Sequence, residues 1–311
     1  MVESGEAVQR QIQRVSRAFD WSRIAPGLFV VLWSTGFIGA KLGVPYAEPF
    51  TFLCLRFAFV LALMLPLAIL LHVRWPSSVR EGAHIAVSGA LIHGGYLGGC
   101  FAAVYHGMPA GMVALVVGLQ PIVTAFAAAP FLGERVGPVQ WLGLALGFGG
   151  VVLVMWDKIA LDGLSGVSIA FAVMALLSIT SGTLYQKRYC PSFDLRAGAL
   201  IQFSAALLLL LPVALFHETH EVHWSGQFVF ALAWLVLVLS VGAISLLYHL
   251  IEHGEATRVA SLFYLTPLTT AVMAYFLFGE TLSTLALAGM VVGITGVALA
   301  TRKPDVVAPE P

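Results

Sequence analysis

Charged residues and cysteines are scarce in this sequence, and each scarcity excludes a class of protein. Only 10% of the 311 residues are charged and 59% are hydrophobic, which excludes an ordinary soluble domain. The formal net charge of zero excludes the basic surface with which proteins bind nucleic acid. The three cysteines, Cys54, Cys100 and Cys190, are far apart in the sequence. We therefore predict small apolar packing residues there, and neither a disulfide framework nor a zinc motif.

The few charges fall between apolar runs that are long enough to cross a bilayer, which takes about 20 residues in a helix. We therefore predict an all-α integral membrane protein with ten transmembrane helices. The predicted spans are residues 25–44, 49–71, 84–105, 109–131, 137–156, 166–189, 195–216, 227–251, 256–278 and 283–300. Residues 1–24 are predicted to form a cytoplasmic N-terminal segment, and residues 301–311 a disordered cytoplasmic tail.

Lysines and arginines are distributed unevenly between the two ends of these spans. If the N-terminus is cytoplasmic, 13 of the 16 lie at cytoplasmic ends. Only Lys41, Arg56 and Lys158 remain in the outer half. Because basic residues concentrate on the cytoplasmic side of membrane proteins, we predict that both termini are cytoplasmic. The chain is then a multi-pass protein of the inner (plasma) membrane, with the lipid bilayer as its partner.

The two halves of the chain are copies of each other. Residues 110–154 align without a gap to residues 256–300, and 15 of the 45 aligned positions are identical. The same offset of 146 residues matches several prolines, glycines and lysines: Pro121 with Pro267, Gly150 with Gly296, Gly36 with Gly182, and Lys41 with Lys187. We therefore predict two five-helix repeats, residues 25–156 and 166–300.

Five spans per repeat is an odd number, so the second repeat must enter the membrane upside down relative to the first. Inverted repeats place a pseudo-two-fold axis in the membrane plane, and a site on that axis can open to either side. This arrangement indicates a carrier that works by alternating access. A duplicated bundle with a purely structural role remains the alternative.

Four short stretches of the chain are distinctive, and the last of them repeats the third in the second half. They are LWSTGFIGAKLG (32–43), FLCLRFAF (52–59), GLQPIVTAF (118–126) with LGE (132–134), and YLTPLTTAV (264–272) with FGE (278–280). In these motifs the chain, over residues 25–300, resembles the drug/metabolite transporter superfamily in its ten-helix EamA-type branch. The resemblance implies carrier-mediated movement of small metabolites, commonly export of amino acids or related compounds. It also implies a central cavity lined mainly by helices 1, 3, 4, 6, 8 and 9.

Polar and aromatic residues near the middle of the spans are the candidates for that cavity. Burying polar groups in hydrocarbon is costly, so these residues should face the interior of the bundle. His93 and Tyr96 share a face of helix 3 that is rich in glycine. Gln120 and Tyr264 stand beside the paired prolines of helices 4 and 9, where a missing N–H frees a backbone carbonyl. For each of the four residues, hydrogen bonding between helices is the alternative role.

Four further residues each have more than one possible role. Trp33 supports the cavity or packs in the core, and Tyr185 supports it or anchors the chain at the interface. Three roles are open for Arg56 in helix 2: its side chain extends outward to the membrane surface, pairs with Glu48, or binds a substrate carboxylate. The resemblance implies its LRF motif in members whatever they carry, which favours a structural pairing. Lys41 is predicted to be an interfacial or gating charge, with substrate contact as the alternative.

Glycines spaced along helices 5 and 10 form a small-residue face in each repeat: Gly143, Gly147 and Gly150, with their copies Gly289, Gly293 and Gly296. Such faces let two helix backbones approach closely. We predict contact between the two halves or, alternatively, a homodimer.

The predicted spans carry no Asp or Glu near the midplane, which disfavours the usual proton relay. We therefore expect facilitated efflux or exchange, and an unchanged flux when the proton gradient is collapsed.

The outer loop HETHEVH (217–223) lacks zincin spacing and is predicted to be a solvated loop. No cofactor or metal is predicted, and no set of residues indicates an enzyme.

Neutral and aromatic cavity candidates with one histidine favour an amino acid, an amine or an aromatic compound as the small-molecule substrate. The alternatives are a multidrug efflux carrier and an exchanger of phosphate esters or nucleotide sugars. A phosphate ester would require Lys41, Arg56 and Lys187 to converge on the cavity.

Overall fold

The computed structural model describes residues 21–108, 110–156, 165–190, 192–254, 256–278 and 282–302. Across these residues nine helices are long and apolar enough to cross a membrane, and a tenth apolar helix has 17 residues. The described backbone contains one isolated antiparallel bridge, between Ala47 and Val222, and is otherwise helical or in loops. The predicted all-α fold with ten spans is therefore confirmed. Most of the predicted N-terminal segment and tail lies outside the described residues.

The helices follow one another with short connections. They are α1 (Trp21–Gly43), α2 (Pro49–Leu70), α3 (Val79–Tyr105), α4 (Ala110–Val117 and Gln120–Leu132), α5 (Pro138–Met155), α6 (Gly166–Tyr189), α7 (Leu195–His217), α8 (Gly226–His253), α9 (Ala256–Ser261, Leu262–Tyr264 and Leu265–Phe278) and α10 (Thr284–Ala300). Serine side chains accept the first free N–H groups of α6, α8 and α10, and prolines open α2 and α5.

One boundary differs from the sequence prediction by five residues, since α3 begins at Val79 and not at residue 84. The Ser78 hydroxyl accepts the backbone N–H of Glu81, and the Glu81 carboxylate accepts the backbone N–H of Ser77 at 2.7 Å. This exchange caps the helix before its apolar pattern begins. Hydropathy alone does not register such a polar first turn.

Irregular turns interrupt the helices at equivalent depths in the two halves. A π-helical segment spans Ala90–Gly95 in α3, and another spans Leu235–Ala243 in α8. With the offset of 146 residues, the first segment maps onto residues 236–241, inside the second. Likewise α4 breaks at residues 118–119 and α9 at Leu262–Tyr264, and residue 118 maps onto 264. Because π-turns often mark functional sites, these symmetric interruptions direct attention to the centre of the bundle.

The packing of the helices follows the same inverted symmetry. Helix α1 packs against α8 and α9, and its copy α6 packs against α3 and α4. Helix α2 lies against its own copy α7, and α5 lies against its own copy α10. Each contact thus has a partner in which the two halves exchange roles, as two inverted five-helix repeats require.

The glycine faces of α5 and α10 form the closest contact between the halves. A Cβ added to Gly143 would lie 2.7 Å from the carbonyl oxygen of Gly296, and one on Gly289 would lie 2.8 Å from that of Gly150. No side chain fits at those separations, so the two backbones touch directly. The structure assigns these faces to contact between the halves, and the homodimer stays a prediction that another surface must support.

Candidate functional site

The centre of the bundle holds a histidine in the π-helical segment of α3. His93 is fully buried, and its Nε2 lies 2.6 Å from the hydroxyl of Tyr248 on α8, with which it shares a hydrogen bond. Its ring stacks on Phe203 of α7 at 4.5 Å between centroids. Its Nδ1 has no hydrogen-bond partner among the described residues. The bond to Tyr248 therefore orients the imidazole, and the predicted cavity role of His93 stays a prediction.

Arg56 lies in the same region, against the π-helical segment of α8. Its side chain is only 2% exposed, and its Nε donates to the hydroxyl of Ser240 at 3.1 Å. It is within electrostatic reach of His93 and Tyr96. The hydroxyl of Ser240 is the one hydrogen-bond acceptor that the described part of the chain offers it.

Two of the three roles considered for Arg56 are therefore corrected. It does not snorkel outward, because the side chain is buried. It does not pair with Glu48, whose carboxylate accepts hydrogen bonds from Thr219 instead. Moving an uncompensated charge out of water costs several kcal/mol, roughly, so a buried arginine needs an anionic partner. No carboxylate within the described ranges forms an ion pair with it. Two roles remain: the bond to Ser240 joins α2 to α8, as a structural role requires, and contact with a substrate carboxylate stays a prediction.

The symmetry-related position in the second half is Gln202. Its Nε2 donates to the Ser88 hydroxyl at 2.6 Å and to Oε1 of Gln186 at 3.0 Å. In both halves, then, a residue on the second helix of the repeat donates to a serine on the third helix of the opposite half. Only the first half provides a charge there, so the site is asymmetric and its positive side lies at Arg56.

Aromatic rings from three helices pack together around Trp33, and one of them, Tyr96, follows His93 by three residues in α3. Trp33 of α1 and Tyr96 of α3 are nearly parallel, with centroids 6.3 Å apart and an angle of 12° between the planes. Phe263 of α9 meets Trp33 edge-on at 5.4 Å. The structure thus brings together two of the predicted cavity residues. Their π-faces can contact a cationic or apolar part of a ligand.

A second, uncharged polar group lies where the inner half of α4 packs against α9. Gln120, Thr124, Tyr264 and Thr266 are all buried. Neither amide atom of Gln120, nor any of these three hydroxyls, has a hydrogen-bond partner within the described chain. A buried polar group without a partner costs about 1–3 kcal/mol, so four of them are costly unless a ligand satisfies them. The predicted cavity role of Gln120 and Tyr264 stays a prediction, now with a physical reason.

Tyr185 lies apart from the other candidates. Its hydroxyl is 2.7 Å from Nδ1 of His84, and both rings pack against Tyr189. His84 precedes His93 by nine residues, or about 13 Å along α3. This position agrees with the alternative of an interfacial anchor. The side chain of Lys41 lies outside the described residues, so its role stays a prediction.

Tyr248 and Ser240 are site residues that the sequence analysis missed. Neither is matched by a polar residue in the first half, because the offset of 146 pairs them with Ala102 and Gly94. The available signal was a serine and a tyrosine eight residues apart in an apolar span, the spacing of one helix face. A search guided by internal symmetry passes over residues that break that symmetry.

Comparison with known proteins agrees with this architecture. The family model described as the EamA-like transporter family matches residues 27–156 and again residues 166–302. A transporter of Bacillus subtilis, YvbV, which is described as uncharacterized, is 26% identical over 277 residues, covering 88% of this chain and 89% of that protein. A probable amino-acid metabolite efflux pump of Salmonella typhimurium is 27% identical over 282 residues, covering 86% and 91%.

Two further similarities extend the comparison. The Escherichia coli inner membrane transporter YedA, also described as uncharacterized, is 24% identical over 273 residues and 87% of each chain. A solved crystal structure shares the fold with a TM-score of 0.75 at 19% identity, covering 89% of this chain and 95% of its own. These three relatives are transporters or efflux pumps by name, and each match covers at least 86% of both chains.

Proposed function

The chain belongs to the EamA-like transporter family, and we propose that it exports small carboxylated metabolites, amino acids above all, by alternating access. The observation that carries this proposal is the buried guanidinium of Arg56, whose one described hydrogen-bond acceptor is a neutral hydroxyl. The family and its relatives support a membrane transporter in general. The substrate class and the mechanism are inferred from the residues of the site.

Arg56 suits a carboxylate for geometric reasons. The guanidinium group is planar and carries five N–H donors, and it binds a carboxylate through two parallel hydrogen bonds. Nε is engaged by Ser240, so the terminal nitrogens provide the remaining donors. The stacked rings of Trp33 and Tyr96 provide the π-faces that attract an ammonium group. Together these groups fit a zwitterion such as an amino acid.

Alternating access is supported by the symmetry of the fold. The π-helical segments of α3 and α8 are equivalent in the two halves, and Arg56, His93 and Tyr248 lie at or beside them. A site between two equivalent, locally irregular helices can open to either side by similar motions. Export as the direction of transport follows the relatives described as efflux pumps and is part of the proposal.

The two alternative substrate classes find less support. Phosphate esters would require several cations at the site, but Nζ of Lys187 donates to the carbonyls of Ile251, Glu252 and Gly254 at the end of α8. A multidrug carrier for cations would be expected to use a buried carboxylate. The buried polar residues that the structure describes include no Asp or Glu.

The proposal is tested by competition in proteoliposomes. Purified carrier is reconstituted with one labelled amino acid, and unlabelled amino acids or their carboxamides are added in excess. Because the carboxamide lacks the anionic group, we expect the free acids to compete at least tenfold better. Equal competition by acid and amide, or competition by inorganic phosphate alone, would overturn the carboxylate proposal.

Two substitutions test the rest of the cavity. We expect His93→Ala and Gln120→Ala each to lower flux about tenfold at equal membrane expression, because one lost hydrogen bond is worth about 1.4 kcal/mol. Flux per unit of purified protein is the measurement. His84→Ala is the matched control, since this histidine lies on the same helix but bonds Tyr185 near the membrane surface. Wild-type flux in His93→Ala and Gln120→Ala would remove both residues from the site.

A further inference from the structure

The loop that follows α7 is docked onto the first turn of α2. The carboxylate of Glu218 accepts the backbone N–H of Phe50 at 2.8 Å, and both the N–H and the hydroxyl of Thr51 at 2.6 and 2.7 Å. These N–H groups belong to a helix N-terminus, where a carboxylate is favoured. This end of the bundle is the one that the distribution of Lys and Arg predicts to face outward. Five of the seven residues of the HETHEVH loop (217–223) are exposed, as predicted for a solvated loop, and Glu218 anchors the loop to α2.

The contact is reciprocal. The carboxylate of Glu48, just before α2, accepts the backbone N–H and the hydroxyl of Thr219 at 2.6 and 2.7 Å. The bond from the Thr219 hydroxyl lowers the pKa of Glu48, so the charged form is the one that the contact favours. Beside it, the N–H of His223 donates to the carbonyl of Tyr46, and Ala47 pairs with Val222. Two carboxylates thus join the α1–α2 and α7–α8 connections.

The symmetry-related connections at the opposite end are joined much more weakly. The offset of 146 residues maps Glu48 onto Asp194. The Asp194 carboxylate accepts one hydrogen bond from the other connection, the N–H of Arg74 at 3.3 Å. Its further bonds, at 2.9 and 3.0 Å, are to Arg196 in its own helix. Arg196 lowers the pKa of Asp194 to about 2, so this carboxylate is committed to its own helix start.

Two cavities open at this weakly joined end. One of about 310 Å³ lies between the two connections and is lined by Arg74, Trp75, Phe193 and Asp194. The other, of about 160 Å³, lies behind Phe193 and reaches Tyr248. The rings of Phe193 and Tyr248 are 5.8 Å apart, and Tyr248 bonds His93. Phe193 therefore stands between the predicted inner surface and the candidate site.

We propose that Glu48 and Glu218, bound to Thr219 and Thr51, form an outer latch, and that Phe193 is the inner plug of the same carrier. The inference rests on the proposed carrier function. It assigns this structure to a conformation that is closed outside and more weakly closed between the α2–α3 and α6–α7 connections. Opening outward requires the bonds of both carboxylates to break. Parting the α2–α3 and α6–α7 connections requires one bond, from the N–H of Arg74 to Asp194, to break and Phe193 to turn, while Lys187 separately holds α6 to the end of α8.

Native Cys54 reports on the latch. It lies one turn below Thr51 on α2 and is 8% exposed. In a Cys100→Ser/Cys190→Ser background, a membrane-impermeant methanethiosulfonate reagent is added to intact cells and the rate of Cys54 modification is measured. We expect E48Q/E218Q to raise this rate at least tenfold, because the neutral amides weaken both sets of bonds. E48Q alone keeps the charge of Glu218 near Cys54 and is expected to raise the rate as well, because it weakens the bonds to Thr219. The mirror-related control, D194N, is expected to leave it unchanged.

The outcomes separate the latch from the carrier proposal. An unchanged Cys54 rate in E48Q/E218Q, or an equal rise in D194N, would overturn the latch whatever the substrate. Labelling needs no substrate, so the expected pattern stands even if amino-acid flux fails. Should the double variant not fold, Ala47→Cys/Val222→Cys replaces it, because paired antiparallel residues lie about 4.5–5.5 Å apart between Cα atoms and suit a disulfide. Oxidation is expected to stop flux, and reduction of the disulfide is expected to restore it. Undiminished flux through the oxidised, cross-linked carrier would overturn the latch.

Discussion

Replacing Arg56 with Leu is expected to lower amino-acid efflux at least about 100-fold while the carrier remains folded. Losing one partner of a buried, hydrogen-bonded charge pair costs about 2–5 kcal/mol, and about 3 kcal/mol corresponds to a factor of at least 100. In the proposed function that partner is the substrate carboxylate, since no carboxylate of the described residues pairs with Arg56. The measurement is efflux from proteoliposomes at equal protein, together with the melting temperature of the purified carrier.

The melting temperature distinguishes this account from a structural role for Arg56. If the arginine holds α2 to α8, its loss should destabilise the fold. If it serves the substrate, exchanging a buried charge for an apolar side chain should be neutral or stabilising. Arg56→Lys is the matched variant and is expected to give intermediate flux, because it keeps the charge but loses the two-pronged geometry. A marked fall in melting temperature with flux retained by the surviving protein would contradict the account.

Gly150→Ala is expected to destabilise the fold, because the added methyl group would collide with the backbone of α10. Its Cβ would lie 2.5 Å from Cα of Gly293 and 2.7 Å from the carbonyl oxygen of Gly289, so α5 and α10 must separate. Overpacking of this kind costs about 1–3 kcal/mol, or roughly 5–10 °C at the upper end. The change is measured by thermal unfolding in detergent and by the yield of monodisperse protein.

The neighbouring glycine provides the control. A Cβ on Gly149 meets no atom within 4 Å, so Gly149→Ala should match the wild type or gain slightly in helix stability. Both variants add one methyl group at adjacent positions of the same helix. Equal stability of the two would mean that α5 and α10 do not pack through their glycines as the structure shows.

The sequence predicted the architecture well because the signals were redundant. Apolar runs, positive charges and an internal repeat all gave ten spans, and the structure moved only the start of α3 by five residues. The repeat also located the paired interruptions of α4 and α9, because Pro121 and Pro267 occupy equivalent positions. The partners of those interruptions needed the three-dimensional structure, since the contact of α4 with α9 joins distant segments of the chain.

The site was harder to predict for a physical reason. Arg56 could be recognised as a buried charge, but its surroundings depend on Ser240, which is 184 residues away. The π-helical turns of α3 and α8 shift the helix face that His93 and Tyr248 present, and hydropathy carries no signal for such a turn. The outer loop shows the same limit, because its polar residues correctly predict exposure to solvent but not that Glu218 caps the N-terminus of α2.

The most direct test of the carrier account is efflux from proteoliposomes that are preloaded with a mixed pool of amino acids and other small metabolites. Wild-type carrier and His93→Ala are compared at equal reconstituted protein. The account predicts selective loss of one or a few carboxylated compounds through the wild type, and a loss slowed about tenfold in the variant. Retention of every compound, or selective release of phosphate esters or drug-like cations with no effect of His93→Ala, would contradict it.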